Sequence, residues 1–420
     1  MILYRIFIWL YPILAKLISP FNEKAKQWVN GQATVWQEIQ HLSRQIKGPI
    51  IWVHCASYGE FEQGLPIIIA LKKQYPSHQI WVSFFSPSGY LHRKHDPNVD
   101  FVSYLPIDSP MAAAKWMDMV QPQCIVFIKY EFWYYYLKIA AQQNIPTILA
   151  SAIFRPDQIF FKSYGGFYRK MLQLFTGILV QDSRSATLVA PILNQTQLSI
   201  SGDTRFDRVV EIVAEKLAID WIEKLAKTEC MVAGSTWEQD HKLLGPVTAK
   251  WQELNWIIVP HHVDASSIKA CQAHFPNSLL LSEWLKSAQK MERPIVLIVD
   301  QIGLLRNLYQ YAKIAYIGGG FTKDGIHNVL EAAAFGKPVI WGPNDAKYQE
   351  AIGLRKAKGG IKIENEAVLN QTIEQLINDS AYCKTMGDAA VNYVQSNAGA
   401  TQKTMDYIKQ IYASPKDQKL

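Results

Sequence analysis

Short runs rich in β-branched and aromatic residues alternate along the chain with stretches in which apolar side chains recur every three to four positions. In the first half, PIIWVHCAS (49–57), QIWVSFFS (79–86), VDFVSYLPI (99–107), CIVFIKYE (124–131), PTILASAIF (146–154) and GILVQD (177–182) predict strands. The pattern then restarts with CMVAGST (230–236), NWIIVP (255–260), IVLIVD (295–300), IAYIGGG (314–320) and PVIWGP (338–343). Near-continuous apolar strands separated by helices suit parallel sheets of βαβ units, because helices cover both faces of such a sheet. Two series therefore predict an α/β protein with two tandem Rossmann-like, doubly wound domains. The length of 420 residues agrees, since a single core stops growing well below it. The junction is expected in SGDTRFDRV (201–209), where a strand ends, the chain turns at Gly202 and a long helical pattern opens. The expected division is 1–20, 21–205, 206–395 and a C-terminal helix and tail at 396–420. Such sheets bind ligands beyond the carboxyl ends of their strands, so the expected active site is a cleft faced by both domains.

The amino terminus, MILYRIFIWLYPILAKLISP, departs from this pattern. Only ten residues separate Arg5 from Lys16, short of the roughly 20 that a comfortable membrane span needs. No small-residue cleavage site follows, which argues against a removed signal peptide. Residues 1–20 are expected to form an N-terminal membrane-anchor helix, either lying in the interface or spanning marginally; a buried first helix is the alternative.

Composition narrows the classes. Hydrophobic residues at 49% and charged residues at 19% exclude a largely disordered chain. The formal charge of +7 is spread along the sequence, so no nucleic-acid partner is expected. Five cysteines without a CxxC pair fit reduced thiols and no structural metal site.

The polar residues that interrupt this pattern lie just after strands. Ser57-Tyr58-Gly59-Glu60 follows the first strand, with Gly59 allowing a tight turn and Glu60 opening a helix. A carboxylate there either complements the helix dipole or acts as a general base. Glu131, in Tyr130-Glu131-Phe132-Trp133, has the same two readings at the start of the next predicted helix. In the second half, Ser235 and Thr236 end a strand and are expected to cap a helix. Gly318, Gly319 and Gly320 end another, and Gly325-Ile326-His327-Asn328 leads into a helix with Glu331 on its first turn. Free N–H groups there can hold a phosphate, with Glu331 placed for ribose hydroxyls. The loop lacks the Gly-Lys-Ser/Thr of a P-loop.

Taken in order, VHCASYGEFEQGLPIIIAL, YEFW, GDTRFD, AGSTWE, VPHH and GGGFTKDGIHNVLEAAAFGKPVIWGP resemble the motifs of the 3-deoxy-D-manno-octulosonic acid (Kdo) transferases of lipopolysaccharide synthesis. That resemblance implies a GT-B glycosyltransferase fold, with 21–205 binding the acceptor and 206–395 the CMP-sugar. It implies inverting transfer of Kdo from CMP-Kdo to a lipid A precursor, lipid IVA, on the cytoplasmic face of the cell inner membrane, among its lipids. Glu60 matches the family's general base. Ser235, Thr236, His262, Asn328 and Glu331 match positions on the donor side, which Gly319, Gly320 and His327 adjoin. Ser57, Tyr58, Gly59, Glu131 and Arg155 are the acceptor-side candidates. The chain departs from the family in two places. Pro260-His261-His262-Val263 stands where Pro-Arg-His-Pro is usual, which leaves His261 as a weaker substitute for a phosphate-binding Arg. Ser151-Ala152-Ile153-Phe154-Arg155 replaces Asn-Ala-Arg-Leu-Ser, which makes Arg155 a shifted source of that cation. No cofactor and no metal are expected, since a leaving CMP carries one phosphate and no Asp-x-Asp pattern is evident. The rival readings are a UDP-sugar transferase or epimerase of the same fold, and a sensor that keeps the pocket without turnover.

Overall fold

The computed structural model describes residues 1–215, 217–222, 229–287 and 296–412. The chain forms two compact units, Met1–Arg208 joined by the segment from Ala398 onward, and Val209–Asn397. In the first, strands β1 (Ile50–Cys55), β2 (Gln79–Phe84), β3 (Phe101–Tyr104), β4 (Pro122–Ile128), β5 (Thr147–Ala152), β6 (Gly177–Val180) and β7 (Leu198–Ile200) make one parallel sheet. Its order is β3-β2-β1-β4-β5-β6-β7. The period of two along β1 divides the core. Ile50 and Trp52 enter one cluster with Trp81, Trp116 and Tyr136, while Ile51, Val53 and Cys55 enter the other. That second layer is closed by helix α3 (Tyr58–Gln74) and by the C-terminal helix Ala400–Tyr412, through Met405 and Ile408. The C-terminal helix is thus part of the first unit. The remainder of the expected tail, 413–420, lies outside the described residues.

The second unit repeats the design. Strands β8 (Cys230–Thr236), β9 (Asn255–Pro260), β10 (Ser278–Leu280), β11 (Val296–Ile298), β12 (Ile314–Ile317), β13 (Val339–Trp341) and β14 (Gly360–Lys362) are parallel, in the order β10-β11-β9-β8-β12-β13-β14. Of the expected IVLIVD strand, Ile295 lies outside the described residues. Three strands, β7, β10 and β14, were not predicted. Each has three residues, stands at a sheet edge and is partly exposed, so none carries the long apolar run of a buried strand.

Helix α1 (Ile2–Ile18) and helix α2 (Glu23–Ser43) precede the first sheet. Tyr4 and Ile8 of α1 are buried in the first core, and the Tyr4 hydroxyl donates to the buried carboxyl of Asp108. That carboxyl also accepts from the N–H groups of Tyr135 and Tyr136 at 3.1–3.2 Å. Burial raises it to about 6. The other side of α1 is bare: Leu3 is 80% and Trp9 69% exposed. Among the described residues no helix is long and apolar enough to cross a membrane. The buried-helix alternative holds for one face only.

Candidate active site

In the first unit the chain leaves β1 at Cys55 and enters α3 with Ser57 as the extended N-cap, which puts Glu60 in the first turn. The Ser57 hydroxyl donates to Oε2 of Glu60. Gly59 has an ordinary helical backbone rather than a left-handed one, so the turn does not require it. A Cβ at Gly59 would meet nothing nearer than Ser57 Oγ at 3.9 Å, so space lies open over the start of the helix. Tyr58 is exposed, its hydroxyl accepting from Arg93 at 2.9 Å.

Burial raises the phenol of Tyr130; Arg155 and Arg205 lower it, while Glu60 and Asp203 raise it again. These charges therefore share one neighbourhood at the carboxyl edge of the sheet. Asp203 and Arg205, from GDTRFD, are joined through Oδ2 at 2.9 and 2.7 Å, and Gln63 of α3 donates to Asp203 at 3.0 Å. Arg155 is exposed and makes no ion pair among the described residues.

Glu131 does not open a helix. The helix begins at Tyr134, and Glu131, only 8% exposed, lies in the preceding turn. The helix-dipole reading is replaced by a buried hydrogen-bond chain. Trp52 Nε1 donates to Ser83 Oγ at 2.7 Å, which lies 2.8 Å from His54 Nδ1. His54 Nε2 is 2.9 Å from Glu131 Oε2, and Trp133 Nε1 donates to the same oxygen at 2.7 Å. With the ring proton on Nε2 every member is satisfied: Ser83 donates to Nδ1 and His54 donates to the carboxyl.

The second unit gathers a different set. Trp237, not Ser235 or Thr236, is the N-cap of the helix Glu238–Lys250. Thr236 Oγ1 is instead 2.9 Å from His241 Nε2, and Ser235 takes a left-handed backbone with φ 52°. Asp240 accepts from Trp237 N–H at 2.9 Å, Gly319 N–H at 2.8 Å and Tyr316 hydroxyl at 2.6 Å. Three rings pack over this turn. His261 stacks on Trp237 at 4.6 Å and on His327 at 4.5 Å between centroids, and Trp237 Nε1 donates to His327 Nε2 at 2.8 Å. His262 meets Trp237 edge-on at 5.1 Å. Burial lowers both His261 and His327, the latter to about 4, so both are neutral near pH 7. His261 therefore offers a ring and a hydrogen bond there, not the charge of an arginine.

The glycine-rich loop is less open than its sequence suggests. A Cβ on Gly318 would strike Ser235 O at 2.3 Å, and one on Gly320 would strike Gly342 N at 2.5 Å. Gly318 N–H is bound to Gly234 O and Gly319 N–H to Asp240. The helix that follows spans only Leu330–Ala334. Asn328 holds its entrance, accepting from Leu330 N–H at 3.0 Å and donating to Glu331 Oε1 at 3.2 Å. The N–H groups of Asn328 and Val329 have no acceptor among the described residues.

Sequence reasoning overlooked His54, Ser83 and Asp240 and underrated Trp237. The signal for the first two was present: a His and a Ser inside otherwise apolar strand runs are buried polar groups that require partners. Among the described residues no group of three or more His, Cys, Asp or Glu side chains is arranged to hold a metal ion. None of the five cysteines forms a disulfide.

The fold is shared with an epimerase and a glycosyltransferase of known structure. The UDP-GlcNAc 2-epimerase of Neisseria meningitidis superposes with a TM-score of 0.61 at 16% identity, covering 86% of this chain and all of that one. A glycosyltransferase of Rickettsia africae gives 0.57 at 12% identity, over 88% of this chain and all of that one. The sequence relatives are more specific. A protein of Haemophilus influenzae named 3-deoxy-D-manno-octulosonic acid transferase is 27% identical over 382 residues, 86% of each chain. The protein of that name from Aquifex aeolicus is 28% identical over 338 residues, 78% of this chain and 86% of its own. Residues 33–208, which include Glu60, Glu131 and the GDTRFD turn, match the family model described as 3-deoxy-D-manno-octulosonic-acid transferase (kdotransferase). The chain is thus similar to 3-deoxy-D-manno-octulosonic acid transferases over most of its length, and these relatives indicate a glycosyltransferase.

Proposed function

We propose that the protein transfers Kdo from CMP-Kdo to the lipid A precursor lipid IVA, with inversion and without a metal ion, at the cytoplasmic face of the inner membrane. The observation that carries this reading is Glu60: a carboxyl directly beyond β1, held by Ser57 under the open space at Gly59. As base it takes the proton of an acceptor hydroxyl. The hydroxyl oxygen forms the new bond to the anomeric carbon as the bond to the CMP phosphate oxygen breaks, and CMP leaves with that electron pair. The first unit is assigned the acceptor. The second is assigned the donor, with the Trp237, His261 and His327 rings as a stacking surface and Glu331 as acceptor for the ribose hydroxyls. Asn328 and Val329 offer N–H groups to its phosphate. The bare face of α1 suits a helix lying in the membrane interface.

Mass spectrometry of the product formed from CMP-Kdo and lipid IVA tests the reaction, expecting a mass gain of whole Kdo residues. Glu60→Gln should lower turnover by roughly 10²-fold or more while CMP binding persists. Near-normal turnover in that variant removes Glu60 as the base, and absence of any Kdo adduct with the unmodified protein removes the substrate assignment.

A further inference from the structure

A cavity of about 570 Å³ opens between α1, α2 and the start of the helix Pro110–Val120. Its wall is mostly apolar, with Pro12, Trp28, Val29, Trp36, Ile107 and Met111 prominent. Water would gain little there, because so few polar groups face it.

Two features mark it as a site for a particular ligand. Trp28 is 5% exposed, lines the cavity and has an indole N–H with no acceptor in the protein. Buried donors are nearly always paired, so an orphan on a cavity wall points to an acceptor supplied from outside. The second feature is charge. Lys16 and Lys115 both line the cavity, and neither pairs with a carboxylate among the described residues. Lys115 rests its ammonium 4.4 Å from the centre of the Trp36 ring. The other polar side chains there are engaged locally: Gln32 donates to Leu105 O at 2.9 Å, and Ser109 accepts from Ala112 N–H at 3.1 Å. An apolar body, one acceptor oxygen and an anionic head describe a lipid with a phosphate.

The position of the cavity selects which lipid. Pro12 and Lys16 belong to α1, whose outward residues Leu3, Ile6, Phe7, Trp9, Leu14 and Leu17 are all exposed. Neither Glu60, Glu131 nor Arg155 lines it, which argues for a lipid of the bilayer rather than the acceptor. We infer that the cavity holds one acyl chain of an anionic glycerophospholipid, its phosphate at Lys16 and Lys115 and an ester carbonyl accepting from Trp28. The inference rests on the reading of α1 as a membrane-facing helix, and deepens it from surface contact to the capture of a single lipid.

The test uses the full chain, equilibrated with phosphatidylglycerol vesicles or with phosphatidylcholine vesicles, extracted in mild detergent and examined by native mass spectrometry. One phosphatidylglycerol per chain is expected, retained about tenfold or more over phosphatidylcholine. Val29→Trp should fill the cavity and abolish retention. Trp28→Phe keeps the ring, removes the donor and should weaken retention several-fold; Lys16→Gln with Lys115→Gln should erase the headgroup preference. These last variants keep the test decisive if Val29→Trp does not fold. Undiminished retention in the folded variants, or equal retention of the two phospholipids by the unmodified chain, overturns the inference. A Leu3→Glu, Trp9→Glu chain separates it from the underlying reading. That chain should lose vesicle binding yet still extract one phosphatidylglycerol from detergent, whereas unchanged vesicle binding would reject α1 as the membrane face.

Discussion

His54 Nε2 lies 2.9 Å from Oε2 of Glu131, and neither side chain has appreciable contact with solvent. A carboxyl that would otherwise be free to turn is thereby fixed at the carboxyl edge of the first sheet, between an imidazole and the indole of Trp133. Burial and the charges of Glu60 and Glu131 together hold the adjacent Cys55 thiol well above its ordinary range, so both acids act on the same strand end. His54 is thus a positioning residue for Glu131, and its loss should be felt in stability as well as turnover.

Replacing His54 with Leu should cost about 1–3 kcal/mol, because Glu131 and Ser83 each lose a buried partner. Urea denaturation of the two proteins measures this. His54→Gln, which can still donate to Glu131, should recover part of the loss. Equal stability of all three proteins would show that Glu131 does not depend on the imidazole.

The architecture was legible in the sequence because parallel strands buried on both faces read as apolar runs, and all the long ones were found. The three-residue edge strands were not, for want of such runs. Helix α1 was only half legible for a related reason: nearly every position is apolar, so no pattern separates the face that carries Tyr4 and Ile8 into the core from the face left bare. In the site, Glu60 and the His327–Glu331 segment stood out because polar residues follow strands. The glycines of 318–320 stood out for the wrong cause, since protein backbone crowds them.

Those packing facts change how the amino terminus should be tested. Deleting residues 1–20 would strip Tyr4 from Asp108 and open the first core, so it would report on folding rather than on membrane binding. Burying one large apolar side chain is worth about 1.5–3 kcal/mol, and Ile8→Ala should lower stability by about 2 kcal/mol or more. Leu17→Glu, on the bare face, should change stability by less than about 0.5 kcal/mol yet weaken flotation with anionic vesicles. Equal effects of the two substitutions on stability would contradict the two-faced helix.

The second unit should lose stability as acid is added. His241 and His327 are both lowered to about 4, by burial first, from an ordinary value near 6.5. Between those values the unfolded chain binds protons that the folded unit refuses. The stability these groups contribute is full above pH 6.5 and is lost as pH falls toward 4. Asp108 in the first unit acts oppositely: raised to about 6, it binds its proton more readily when folded, so acidification through that range favours the fold there. Hydrogen exchange at pH 7 and pH 5 should show protection falling in 230–397, and the double variant His241→Gln, His327→Gln should flatten that fall. An unchanged fall in the double variant would assign it to other groups.

The donor side is tested most directly through Glu331. Asn328 donates to its Oε1 at 3.2 Å, which orients the carboxyl at the start of a helix only five residues long. Because so short a helix contributes little dipole, and Gly318 and Gly319 already spend their N–H groups on the protein, the side chains must supply most of the nucleotide's recognition. Hydrogen bonds to a charged group are worth about 1.5–3 kcal/mol, or roughly tenfold to a hundredfold in affinity. Glu331→Ala should weaken CMP binding by that factor in calorimetry. Asn328→Ala, which removes one hydrogen bond to the same carboxyl, should weaken it by less. EDTA should leave both CMP binding and turnover of the unmodified protein unchanged, whereas inhibition that magnesium reverses would replace the metal-free mechanism. Unaltered CMP affinity in Glu331→Ala would move the nucleotide away from this helix.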